Sequence, residues 1–173
     1  QLIYILEKTS GLSINELSSE WLFNELQMNE TFWKERKKGR MGFSKDSAKY
    51  GLVTTAKDLL KFGEFILNGG EVGTNHVISD IDFFDDTFLK SQNMNEAYGY
   101  LWWLNNSKTY MTWEEKLSSG NLFSHAPTEA ILALGLGSRV LAIVPSEELV
   151  LVRLGSFPDD INFNNNLWKY LQK

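Results

Sequence analysis

Cysteine is missing from the 173 residues, so disulfide bonds and thiolate metal sites are both excluded. The gap decides nothing about compartment, because cytoplasmic, periplasmic and secreted proteins can all do without the residue. Histidine is nearly as scarce. His76 and His125 lie far apart in the chain, without the spacing of a metal-binding helix, and such a pair is more often incidental than a set of ligands. No metal and no cofactor is therefore expected. Positive charge is in deficit as well: a net charge of -5 offers no basic face for nucleic acid. The one basic run, residues 34–40, reads as a solvated helix end or loop before it reads as a patch for an acidic partner. No apolar stretch approaches the roughly 20 residues of a membrane-spanning helix. Neither an initiator methionine nor a signal peptide precedes the apolar segment at Leu2, and a piece of a larger protein is expected.

What the chain does have is apolar surface. Hydrophobic residues make up 43% and aromatics 13%, enough for a sizeable core and too much for disorder. One domain or slightly more is expected at this length. Proline occurs three times, and Pro145 stands between two apolar runs, Val140 to Val144 and Leu149 to Leu154. With Ser146, Glu147 and Glu148 it forms a polar turn, so the stretch reads as an antiparallel hairpin covered on both faces. Just before it, Gly135-Leu136-Gly137-Ser138 would let a backbone or a ligand approach closely. A tight turn entering the strand explains the two glycines equally well.

Along the chain, residues 2–9 read as a helix closed by Gly11. Ser13 through Glu16 matches a capping box, and Leu17, Trp21, Leu22 and Leu26 follow on one helical face. Residues 27–50 read as an irregular crossing anchored by Phe32, Trp33, Met41 and Phe43. A helix then begins at Thr54 or Thr55, with Asp58 in its first turn and Leu59, Phe62, Ile66 and Leu67 as its buried stripe. Asn68-Gly69-Gly70 stops it. A short helix is expected within residues 79–89, a strand from Tyr98 to Leu104, and one or two short strands within 108–125. The chain closes with a helix from Phe163, capped by Asn162, whose Leu167, Trp168 and Leu171 face the sheet. The fold class is α+β, an antiparallel sheet with flanking helices. Residues 1–95 form a mainly helical segment and 96–173 the antiparallel strands with the closing helix.

Four blocks carry a resemblance: Leu2 to Ser13, Gly51 to Gly63, Tyr98 to Leu104, and Gly135 to Arg139 with the hairpin. In this order they resemble the serine β-lactamase-like hydrolases, which include class C β-lactamases, penicillin-binding proteins, esterases and the aminohexanoate-dimer amidases. The paired Trp102 and Trp103 after Tyr98-Gly99-Tyr100 look most like the amidase branch. The resemblance implies the C-terminal portion of the β-lactamase-like (DD-peptidase) fold. It also implies hydrolysis of an amide or ester in a small molecule or peptide through an acyl-enzyme. The family's Ser-x-x-Lys nucleophile motif and Tyr-x-Asn motif are expected upstream, in the N-terminal half of the same protein. No serine here is followed three residues later by lysine. By the same resemblance the backbone N–H of Leu136 is an oxyanion donor, and Gly135, Gly137, Ser138, Tyr100, Trp102 and Trp103 line the substrate pocket. Where the amidase pattern shows Gly-x-x-Gly-Gln, this chain has Ser138 for the second glycine and Arg139 for glutamine.

From the residues alone, core packing is the commoner role for Tyr100, Trp102 and Trp103. No Gly-x-Ser-x-Gly elbow supports a triad of His125 with Ser124, Ser138 or Ser156. The alternative is a binding module of the same fold that lost catalysis and recognises peptides or cell-wall fragments. A third reading is an α+β domain whose blocks match by chance.

Overall fold

The computed structural model describes residues 2–36, 50–111 and 116–171. It divides into two compact units, Gln1–Phe62 and Gly63–Lys173.

The first unit opens with α1 (Leu2–Ser10), no residue of which is buried. Gly11 ends it in the left-handed region at φ +75, its N–H reaching the Glu7 carbonyl at 3.0 Å. The capping box forms as expected. Ser13 N–H donates to Glu16 at 2.8 Å, and the Ser13 hydroxyl accepts from Glu16 N–H at 3.3 Å. The Ser13 hydroxyl also donates to the Glu16 carboxylate at 2.7 Å, and this bond, followed by the one from Ser13 N–H, lowers the Glu16 pKa. Helix α2 (Ile14–Ser18) then widens into a π turn, Ser19–Phe23. The extra residue in that turn rotates the helix face. Trp21, expected beside Leu17 in the core, is 54% exposed, while Phe23 is buried in its stead.

Residues 27–50, expected to be irregular, contain one strand and the first residue of a second. β1 (Phe32–Glu35) pairs antiparallel with β2 (Tyr50–Val53), Phe32 opposite Val53 and Glu35 opposite Tyr50. Neither strand buries a residue fully, so no apolar alternation marks them. The pair is fastened by polar groups instead. Trp33 N–H donates to Asn15 Oδ1 at 2.7 Å, and its indole Nε1–H donates to Ser18 Oγ at 2.8 Å. Met41 and Phe43 lie outside the described residues. Thr55 caps α3 (Ala56–Leu67), accepting from Asp58 N–H at 3.2 Å.

In the second unit α3 stops where Gly69 and Gly70 both turn left-handed and Gly70 N–H returns to Phe65 at 2.9 Å. Phe65, absent from the expected stripe, is buried with Ile66, while Leu67 is half-buried. A hairpin of β3 (Glu71–Val72) and β4 (Asn75–His76) follows, then α4 (Ile81–Asp86), capped by Asp80.

The expected strand from Tyr98 to Leu104 is not a single strand. The chain doubles back, with Gly99 N–H bonded to the Trp102 carbonyl at 2.8 Å and Leu101 at φ +70. Only β5 (Trp103–Leu104) enters the sheet. A backbone turn leaves no trace in a run of aromatics, so the apolar pattern misleads here.

Strands β6 (Thr109–Met111) and β7 (Leu117–Ser119) pair as a hairpin. Strands β8 (Ile131–Gly135), β9 (Arg139–Val144) and β10 (Leu149–Arg153) complete the main sheet, antiparallel throughout, in the order β10-β9-β8-β5. The turn at Pro145 is a short 3-10 segment, and β9 and β10 pair as expected, Val144 opposite Leu149 and Val140 opposite Arg153.

One face of this sheet, Leu132, Val140, Ala142 and Val144, packs on Trp168 of α5 (Phe163–Leu171). On the other face Gly63 of α3 lies against Leu141 and Val150, so closely that a Cβ there would sit 2.3 Å from Val150. Strand β9 is therefore covered on both sides and buried from Val140 to Val144. Strand β10, also expected in the middle of a sheet, is an edge strand and half-buried along its length. In α5, Leu171, the last residue of the helix, is 46% exposed rather than facing the sheet. Asn162 accepts from Asn166 N–H through its carbonyl at 2.9 Å. Asp160 supplies the side-chain acceptor, taking Asn162 N–H and Asn166 Nδ2–H at 2.8 Å each.

Candidate active-site turn

The glycine-rich segment is the connection between β8 and β9. Gly135 and Arg139 face each other as the last ladder pair, leaving Leu136, Gly137 and Ser138 as the turn. Gly137 (φ +84) and Ser138 (φ +56) are both left-handed. Glycine takes that conformation without cost, whereas Ser138 carries the usual penalty of a residue with a Cβ. Leu136, at the apex, is 37% exposed.

Two arginines brace the turn. Arg153 donates through Nη1 to the Gly137 carbonyl at 2.5 Å and through Nη2 to the Ser156 carbonyl at 2.7 Å, with Phe163 4.9 Å beneath its guanidinium. Arg139 donates through Nε to the Gly155 carbonyl at 3.1 Å. The turn thus rests on residues 155–157, and a Cβ on Gly137 would lie 3.6 Å from the Phe157 nitrogen.

Of the expected site residues, Gly135, Leu136, Gly137 and Ser138 are brought together by this turn. Trp103 is on the neighbouring strand, opposite Leu132, its ring 5.0 Å from Tyr98. Trp102 is buried, 5.7 Å from the Phe88 ring. Tyr100 is half exposed and lies 6.4 Å from Phe83. Tyr100 and Trp102 therefore pack on the aromatics at and just beyond α4.

One positioning residue escaped the sequence reading. Asn105 is fully buried directly after β5. Its Nδ2 faces the carbonyls of Phe123, Ala126 and Pro127 at 3.0–3.2 Å, and its Oδ1 accepts from Phe123 N–H at 2.9 Å. It fixes the loop that delivers β8, and a polar residue following Trp102-Trp103-Leu104 was the available signal. Elsewhere, His76 Nδ1 meets Glu71 at 2.8 Å on the surface, and Ser124 donates to Asn165 rather than to a histidine. Among the described residues no group of three or more His, Asp or Glu side chains is placed to hold a metal. No helix among them is long and apolar enough to cross a membrane.

The antiparallel sheet with a helix on each face, the β8–β9 turn and the closing helix define a β-lactamase-like hydrolase fold. The chain belongs to the beta-lactamase family, whose model matches residues 2–170. A solved structure from Bacillus anthracis, described as a 6-aminohexanoate-dimer hydrolase, superposes with a TM-score of 0.68 at 21% identity over 99% of this chain. A second, from Bacteroides dorei and described as a beta-lactamase, does so with a TM-score of 0.59 at 15% identity over 91%. The chain spans 40% and 49% of the lengths of these two structures. No match is found among curated proteins.

Proposed function

We propose that this chain is the C-terminal part of a serine hydrolase that cleaves an amide or ester bond through an acyl-enzyme. The nucleophile and its base, Ser-x-x-Lys and Tyr-x-Asn, are supplied by an N-terminal half. Membership of the beta-lactamase family over residues 2–170 is the observation that carries this reading. The exposed apolar residues of α1 agree with it: Leu2, Tyr4 and Ile5 are each more than half exposed, a surface that a further part of the protein would cover. In the proposed site the Leu136 N–H is one oxyanion donor and the serine's own N–H the other, with Gly135, Gly137 and Ser138 as one wall. Trp103, and Tyr100 on its exposed loop, would meet the acyl part of the substrate. Likeness to the protein described as a 6-aminohexanoate-dimer hydrolase favours a linear amide over a β-lactam ring.

The test compares the 173-residue chain with the complete protein. Alone, the chain should neither turn over chromogenic esters nor take a label from a serine-directed acylating probe, because it lacks a nucleophile. The complete protein should be labelled once, on the serine of its Ser-x-x-Lys. A stoichiometric adduct on any serine of this chain would sink the proposal. An unlabelled complete protein that still binds peptide or cell-wall fragments would point to the non-catalytic module instead.

A further inference from the structure

Arg139 and Arg153 stand at the same turn but are used differently. Arg153 spends both Nη groups on the Gly137 and Ser156 carbonyls and is closed over by Phe163. Arg139 commits only Nε, to the Gly155 carbonyl at 3.1 Å. Among the described residues its two Nη groups have no acceptor, and neither arginine forms an ion pair. The Arg139 side chain is also exposed and placed across the glycine: a Cβ on Gly135 would lie 3.2 Å from Arg139 Cβ and 3.9 Å from its Cδ. The guanidinium is therefore held by one edge, against the Gly155 carbonyl, with its outer edge unengaged.

We infer that Arg139 is a specificity-determining residue that takes a carboxylate on the acyl portion of the substrate. The inference rests on the reading that this turn borders an acyl-transfer site. A guanidinium presents paired N–H donors in a plane that matches the two oxygens of a carboxylate. The Nε bond to Gly155 sets that plane before substrate arrives, so little side-chain entropy remains to be lost on binding. The proton inventory is simple: both charges persist through the reaction, and no proton moves at Arg139. Its contribution is attraction and register, expressed in KM more than in kcat.

The experiment uses the complete protein and two esters of equal acyl length, 4-nitrophenyl hexanoate and mono-4-nitrophenyl adipate. The expected result is a preference for the anionic adipate, by kcat/KM, that falls roughly 10- to 100-fold in Arg139→Gln, the worth of one charge-assisted contact. Arg139→Lys should recover part of the preference, keeping charge without the fork. In the parent, added salt should erode the preference for adipate but not the rate on hexanoate, which gives a readout that needs no variant to fold. If both esters are hydrolysed with a ratio indifferent to salt and to Arg139→Gln, the inference is wrong while the acyl-transfer reading stands. If the complete protein hydrolyses neither ester and takes no acyl label, both fall together.

Discussion

The carboxylate of Asp58 and the hydroxyl of Thr31 meet at 2.8 Å, 27 residues apart in the chain and both buried. The same carboxylate oxygen accepts from Glu30 N–H at 2.9 Å, the other faces Lys61 Nζ at 3.5 Å, and Thr54 joins Thr31 by a 2.7 Å bond. One first-turn aspartate of α3 thus ties the start of β1 to the end of β2. Burial acts to raise the Asp58 pKa, but these donors outweigh it and leave the carboxyl below its ordinary value. Asp58→Asn should lower stability by about 1–3 kcal/mol in urea unfolding, since both buried hydrogen bonds lose their charged acceptor and the amide turns a donor toward Lys61. The pH dependence has a fixed sign. A depressed carboxylate stabilises above its unfolded pKa of about 4 and loses that contribution as pH falls through the folded value. The parent should weaken in that acid range more steeply than Asp58→Asn, and parallel slopes would remove Asp58 from the account.

Asn105 offers a test by charge. Its amide gives donors to three carbonyls and one acceptor to Phe123 N–H. Asn105→Ala should cost about 2–4 kcal/mol, because buried carbonyls lose their partner. Asn105→Asp at neutral pH should cost more, since a carboxylate offers those carbonyls no donor and must be buried ionised. Its stability should recover as pH falls, when protonation restores one donor. Thermal melts at two pH values separate these outcomes, and an aspartate variant as stable as the parent at neutral pH would count against the staple.

Gly63 is a test of close packing. Its missing side chain lets α3 lie on Leu141 and Val150, where an added methyl would meet Val150 Cγ1 at 2.3 Å and Leu141 Cδ1 at 2.9 Å. Gly63→Ala gains helix propensity but overpacks the sheet, for a net loss of about 1–3 kcal/mol. Val150→Ala alone should also destabilise, and the double variant should lose less than the sum of the two. Strict additivity in chemical unfolding would show that the two residues do not meet.

Gly63 also shows where the sequence was mute. The pairing of Val140–Val144 with Leu149–Arg153 and the caps at Ser13 and Thr55 were legible, because apolar runs and short polar side chains act locally. Helix α5 on its Trp168 was legible for the same reason. The π turn that swings Trp21 into solvent and the fold-back at Leu101 were not, since both are backbone events inside runs whose hydrophobicity is unbroken. Strands β1 and β2 hid because polar bonds from Asn15 and Ser18 fasten them with little burial. At the turn, the residue types of Gly135, Leu136, Gly137 and Ser138 were readable, while the bracing by Arg139 and Arg153 depends on where residues 155–156 return.

The proposed role of Leu136 is a backbone role, and proline is the substitution that isolates it. Leu136 is not among the described residues with positive φ, so proline's fixed φ is not barred there, and the preceding Gly135 lies in a strand, the conformation favoured before proline. Leu136→Pro deletes the N–H while keeping an apolar residue at the apex. Leu136→Ala shortens the side chain and keeps the N–H. If that N–H steadies the developing oxyanion, the proline variant of the complete protein should fall below the alanine variant in kcat by roughly 100- to 1,000-fold, the usual loss for one such donor. The loss should lie in kcat, with KM little altered, because the donor serves the transition state more than the bound substrate. Far-UV circular dichroism and a melt on both variants show whether the β8–β9 ladder survives. Two folded variants with equal kcat would mean that the oxyanion is held elsewhere.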